Sequence, residues 1–326
     1  MVASETRWEN RRQDNRTADN ADQTEFSAMS YGRVALDEGT YDDRIAEAMD
    51  DFQTADPIGT EEWSTNDLTI ENAVGELGLE LARRKEILGA AYPFRLSNGQ
   101  LEYKGSKSLV YELCLAISQS PGLSAGHFKR LPVAFERLML DLTLRFLGEG
   151  SVGRRTGWPP EGDRPTNFKA LIASLHHETN EWHWNPDHGR PDDPSSQHVK
   201  DEGLDFVAWK EVPDTRVGRL FVVGQCACGN DFEAKLHDID KGLVKLGYWI
   251  KPICYATPIR AFCTPRHIPN DVYFASINQE AGLTFDRTRI TLLGEKHADE
   301  VKAAATEDFA ELIRIVVRDF RIVADD

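Results

Sequence analysis

A chain of 326 residues, 40% hydrophobic and 28% charged, has the make-up of a water-soluble folded protein with room for a sizeable core, as one large domain or two modest ones. The formal net charge of -16 argues against indiscriminate binding to nucleic acid. No apolar run approaches the roughly 18 residues that cross a bilayer, which excludes a membrane-spanning helix, and the first fifteen residues lack the apolar stretch of a secretory signal. Five sparse cysteines without framework spacing suit a reducing, cytoplasmic setting.

The charge is unevenly spread. Residues 1–62 hold 16 Asp/Glu against 6 Arg and show no sustained periodicity, which predicts an acidic, flexible arm with at most a short helix near YDDRIAEAMDDF. Residues 63–125 read as a helical region. A helix begins near Thr65 or Asn66, LSNGQ is a turn, and SLVYELCLAIS is a second helix. The third helix, PVAFERLMLDLTLRFLG, starts with Pro132 in its first turn and stops at Gly148. It opens an α/β domain spanning 126–326, within which residues 126–170 carry 8 Lys/Arg against 5 Asp/Glu. A fourth helix runs from about Thr166 to Thr179, and NPDHGRPDDPSSQH is a loop.

Beyond that loop the pattern changes to strand, strand, helix. LDFVAWKEV and RLFVVGQCA flank the turn sequence PDTRVG, and NDFEAKLHDIDKGLVKLG is an amphipathic helix with Asn230 and Glu233 as a capping box. Further strands are predicted at KPICYATPI, DVYFASI and RITLL, then one long helix from Ala298 to Phe320. The fold class is α/β, a helical front half feeding a mixed core.

A hairpin around Pro213–Gly218 pairs residues whose numbers sum to about 430, which sets Asp205 beside Gln225 at the end remote from the turn. Opposed polar groups at one end of an apolar hairpin suggest a site; geometry alone is equally met by a hydrogen-bonded pair that terminates the sheet. Glu136, set among Phe135, Leu138, Met139 and Leu140, needs a partner or a metal, because burying a lone carboxylate is costly.

EGLDFVAW and VVGQCACG resemble the first and second motifs of the restriction-endonuclease-like superfamily, the PD-(D/E)XK nucleases, over roughly Val133 to the C-terminus. The resemblance implies an αβββαβ core with a mixed sheet and a metal-dependent DNA endonuclease. Asp205 would be the acid and Gln225 would stand in the Glu/Gln position. Ala227 departs from the family's lysine, a role that falls to Lys235 on the following helix, and Glu136 would add a carboxylate from the preceding helix, with Glu178 in reserve. The implied cofactor is Mg²⁺, with Mn²⁺ substituting, held by Asp205, Glu136 and the backbone carbonyl of Cys226. DNA is the implied partner, in a bacterial restriction or anti-phage system alongside an ATPase or sensor protein. The acidic balance fits an enzyme that needs such a partner, or its own oligomer, to engage DNA. The departures at Ala227 and Gln225 keep open a non-catalytic subunit that binds nucleic acid or protein.

Lys129, Arg130, Arg154, Arg155 and Arg164 are the candidate phosphate contacts, with Trp158, Trp182 and Trp184 in adjoining loops; solvated charge and loop packing explain both sets as well. Other motifs fail on spacing. GQCACGND lacks the Lys and Ser/Thr of a phosphate-binding loop, and HHETNEWHW lacks two histidines four apart. His176, His177, His183, His188 and His198 read as polar loop residues before a metal set, and the cysteines as core.

Overall fold

β-Branched and aromatic residues alternate faces through Phe206–Lys210 and Leu220–Cys226, and this period of two organises the molecule. The computed structural model describes residues 2–36, 60–160, 168–184 and 202–325, with side chains for 14–36, 72–160, 168–184 and 202–321. Its helices are α1 (Val2–Tyr31), α2 (Thr60–Leu88), α3 (Val110–Gln119), α4 (Arg130–Leu147), α5 (Phe168–Thr179), α6 (Asp238–Leu246), α7 (Asp271–Ala281), α8 (Arg287–Lys296), α9 (Ala298–Ala304) and α10 (Phe309–Asp325). A small sheet of order β1-β3-β2 comprises Arg33–Ala35, Phe94–Ser97 and Gln100–Tyr103. The central sheet, of order β4-β5-β6-β7-β8, comprises Ser151–Arg155, Phe206–Lys210, Leu220–Cys226, Ile259–Cys263 and Leu283–Phe285. None of the described helices is long and apolar enough to cross a membrane.

In the central sheet β4, β5 and β6 form an antiparallel meander, while β7 and β8 run parallel to β6. Parallel neighbours need a crossover, and α6 and α7 supply them. The register pairs Phe206 with Gly224, as the summed-number argument requires. Gly224 is needed there because a Cβ would lie about 2.0 Å from the Phe206 ring.

Phe206, Ala208, Val222 and Ala261 face α3, α4, α8 and α10 in one apolar cluster. Val207, Trp209, Phe221 and Val223 face α5 and α6 in another. Each fully buried side chain of this kind contributes roughly 1.5–3 kcal/mol. The first cluster extends from Phe26 on α1 through Leu77, Leu113 and Phe135 to Leu312, so the core crosses both 62/63 and 125/126 without a break.

Several elements differ from the sequence reading. The segment expected to be a flexible arm contributes α1, whose Ala21, Glu25, Phe26 and Ala28 are buried; residues 37–59, with all of YDDRIAEAMDDF, lie outside the described residues. LSNGQ closes a β-hairpin rather than linking helices: Asn98 and Gly99 both have positive φ, 53° and 70°, as a tight two-residue hairpin turn requires. DVYFASI is helical in α7, where Asn270 caps the start by accepting from the Val272 and Tyr273 amides. RITLL lies in α8, capped by Asp286, and only the last part of the KPICYATPI region, from Ile259, is strand. The amphipathic segment after β6 begins as a single 3-10 turn, Phe232–Lys235, before α6. The final helix is broken between α9 and α10.

Candidate metal and phosphate site

Asp205 directly precedes β5 and is fixed from three sides. Its N–H donates to the Gly224 carbonyl at 2.8 Å, and its own carbonyl accepts from the Thr156 and Gly157 amides at 2.8 and 2.9 Å. Its carboxylate Oδ2 accepts from the Cys226 N–H at 2.6 Å, a charge-assisted bond. The ladder register places Gln225 opposite, but the two side chains part. The Asp205 amide bonds to Gly224 instead of straight across, and this step in the ladder sends the carboxylate to the Cys226 backbone. Gln225, only 4% exposed, donates from Nε2 to Asp238 Oδ2 at 3.4 Å, at the start of α6. Its Oε1 is buried without a hydrogen-bond partner.

The partner that Glu136 needs is Arg155, whose Nε donates to Glu136 Oε2 at 2.6 Å, with both side chains only 9% exposed. Gly157 packs on this carboxylate so closely that a Cβ would sit 2.2 Å from Oε2. A glycine is thus required where the chain leaving β4 passes between Glu136 and Asp205. Lys235 ends the 3-10 turn after β6, half-buried, and makes no hydrogen bond or ion pair with the described residues.

The thiols between these groups report where their charges act. Burial pushes the Cys228 thiol well above its ordinary range, Glu136 and Asp205 raise it further, and Lys235 pulls it back. The Cys226 thiol is raised by burial first, then by the adjoining Cys263 thiol, and then by Asp205 and Glu136. Asp205 and Glu136 both act on these thiols and flank Gly157, Lys235 acts on the Cys228 thiol, and the Gln225 carboxamide turns toward α6. These thiols are protonated core groups, as the sequence suggested, and all five cysteines are free.

The basic residues are mostly engaged. Arg155, expected among the phosphate contacts, is buried on Glu136, because a carboxylate inside an apolar helix face must be neutralised. Arg154 pairs with Glu178, the reserve acid, at 3.0 Å. Arg130 pairs with Glu307 at 3.0 Å and Glu311 at 3.5 Å. Lys129 is exposed, and Arg164 lies outside the described residues. Trp182 is fully buried, Trp184 stacks on Trp249, and Trp158 is exposed. His176 contacts the Glu181 carbonyl and the His183 ring, while His188 and His198 lie outside the described residues. Among the described residues no three His, Cys, Asp or Glu side chains are grouped to hold a metal.

Sequence reasoning missed Gly157 and Asp238. A glycine just after a strand marks close backbone approach, which was a legible signal for the first. Asp238 carried none, because its contact depends on where the 3-10 turn ends. No family model, curated protein or solved structure matches the chain.

Proposed function

We propose that the protein is a metal-dependent DNA endonuclease working at the carboxyl end of β6. The observation that carries this reading is the Gly157 backbone, which bonds to Asp205 and packs on the Glu136 carboxylate, next to the Cys226 amide that Asp205 also holds. The chain order in the same region, helix α4, strand β4, helix α5, antiparallel strands β5 and β6, crossover α6 and parallel strand β7, resembles the αβββαβ plan with α5 inserted after its first strand.

A hard divalent cation, Mg²⁺ or Mn²⁺, suits an all-oxygen donor set here, because the Gly157 backbone bonds to Asp205 and packs on the Glu136 carboxylate while Asp205 holds the Cys226 backbone. Asp205 and the Cys226 carbonyl would hold it, with Glu136 joining on release from Arg155. Bound there, the ion supplies Lewis-acid polarisation of the phosphodiester and a more acidic attacking water. Lys235 supplies a positive charge that stabilises the phosphate as negative charge builds. The engaged arginines leave few free cations for DNA, which supports action alongside an ATPase or sensor protein, or as a homo-oligomer, in a bacterial restriction or anti-phage system.

A second reading, a non-catalytic subunit that binds nucleic acid or a partner protein, draws on two observations: Arg155 already neutralises Glu136, and Ala227 is fully buried where the family carries its lysine. Supercoiled plasmid incubated with Mg²⁺, Mn²⁺ or EDTA separates the two. Metal-dependent nicking that disappears in Asp205→Ala, with an unchanged circular-dichroism spectrum, is the expected result. A variant that nicks at the wild-type rate sinks the assignment, and a wild-type chain inert with every metal favours the binding subunit.

A further inference from the structure

The crossover helix α6 buries Ile239, Leu243 and Leu246 against the sheet and turns its opposite face to water. That outer face carries His237, Lys241, Lys245 and Tyr248, which fall within one helical arc at spacings of four, four and three. Lys241 and Lys245 are 65% and 58% exposed at the side chain, and Tyr248 is 56% exposed. Beyond the helix, Lys251 and Tyr255, the latter 63% exposed, continue the surface. The Lys251 amide bonds to the His183 carbonyl, which brings alongside it the strand-like turn where Lys169 stands 5.6 Å over the Trp184 ring.

Charge sets this surface apart. Residues 235–260 hold five Lys/Arg against two Asp in a chain of net charge -16. Its acids are Asp238, facing Lys241 at 3.3 Å, Asp240, held by Arg260, and Glu202, facing Lys245 at 2.9 Å, with Glu280 at 3.6 Å from His237. Lys241 and Lys245 are more than half exposed, so their pairs are screened by water and contribute little. Cations interleaved with exposed aromatic rings are the chemistry that grips a nucleic-acid backbone while stacking its bases.

We infer that the outer face of α6, with the loop through Tyr255, is a contact surface for single-stranded nucleic acid. It begins two residues after Lys235, where α6 starts. The inference deepens the endonuclease reading by naming where substrate rests, yet its test is independent, because binding is measured in EDTA where no metal-dependent cleavage proceeds.

Fluorescence anisotropy of a labelled oligothymidylate of about 20 nucleotides with the full chain, at low salt, provides that test. The triple variant Lys241→Glu, Lys245→Glu, Lys251→Glu should bind at least about tenfold more weakly and lower the slope of affinity against salt by about 2. Tyr248→Ala should bind about fivefold more weakly with the slope unchanged, since stacking releases no counterions. A control triple of distant exposed lysines, Lys85, Lys104 and Lys302 to Glu, should have a much smaller effect. Wild-type affinity in the first triple, equal weakening in the control, or competition by polyglutamate as effective as by unlabelled oligonucleotide would each overturn the proposal, the last assigning the face to an acidic protein.

Discussion

Arg84 and Arg287, fully buried between α1, α2 and α8, share Asp22, whereas Lys235, half-buried at the end of β6, has no partner among the described residues. Arg287 grips Asp22 with two bonds of 2.7 and 2.6 Å and gives its Nε to the Pro265 carbonyl. Arg84 spans Asp22, Glu25 and Glu80; the Tyr111 hydroxyl donates to the Glu25 Oε2 that Arg84 also holds, and the Tyr92 hydroxyl to Oε1, both at 2.6 Å. In the first region donors and acceptors are matched and the charges act as fasteners. In the second, the Lys235 amine and the Gln225 amide oxygen have no hydrogen-bond partner among the described residues, which leaves binding capacity unspent. Buried charge marks structure when it is saturated and a candidate site when it is not.

Removing a fastener should therefore cost far more stability than removing the amine. Arg287→Ala strips Asp22 of its bidentate partner and should lower the unfolding free energy by about 3–5 kcal/mol, read from urea denaturation; a loss below about 1 kcal/mol would break the contrast.

Acid should attack the same region next. Burial alone would raise Glu80, but the His267 and Arg84 hydrogen bonds and charges outweigh it and hold the carboxyl at about 2 against an ordinary 4.5. A group depressed on folding adds stability that is complete above its unfolded value and fades as pH falls toward the folded one. Between pH 4.5 and about 2 this carboxyl should thus surrender about 3 kcal/mol, and Glu80→Gln should flatten that portion of the stability curve in calorimetry.

The smallest change belongs to the amine. Lys235→Ala should alter stability by no more than about 0.5 kcal/mol while slowing plasmid nicking more than it alters metal affinity; a large stability loss would show that Lys235 is structural after all.

The hairpin register was legible because apolar alternation and a turn sequence set the Asp205–Gln225 opposition with local information only. Asp205, Glu136 and Lys235 were chosen from strand and helix positions; the fold sets Gly157 between the first two and gives Glu136 to Arg155. What stayed hidden was long-range. The acidic first sixty residues look solvated until Asp22 meets Arg84, 62 residues away, and Arg287, 265 away. Arg155 likewise looks like a surface cation until β4 lays it along α4. The strand patterns in DVYFASI and RITLL were overruled by Asn270 and Asp286, each of which satisfies the first amides of a helix and so fixes its start.

One consequence of the uninterrupted apolar cluster from Phe26 to Leu312 concerns how the gene can be cut. A fragment starting at residue 126 would keep every strand of the large sheet yet remove Phe26, Leu77 and Leu113 from the apolar cluster they share with Phe135 and Leu138, opening that cluster to solvent. Such a piece should clump rather than fold, so the helical front is half of the wall on which the sheet is hung.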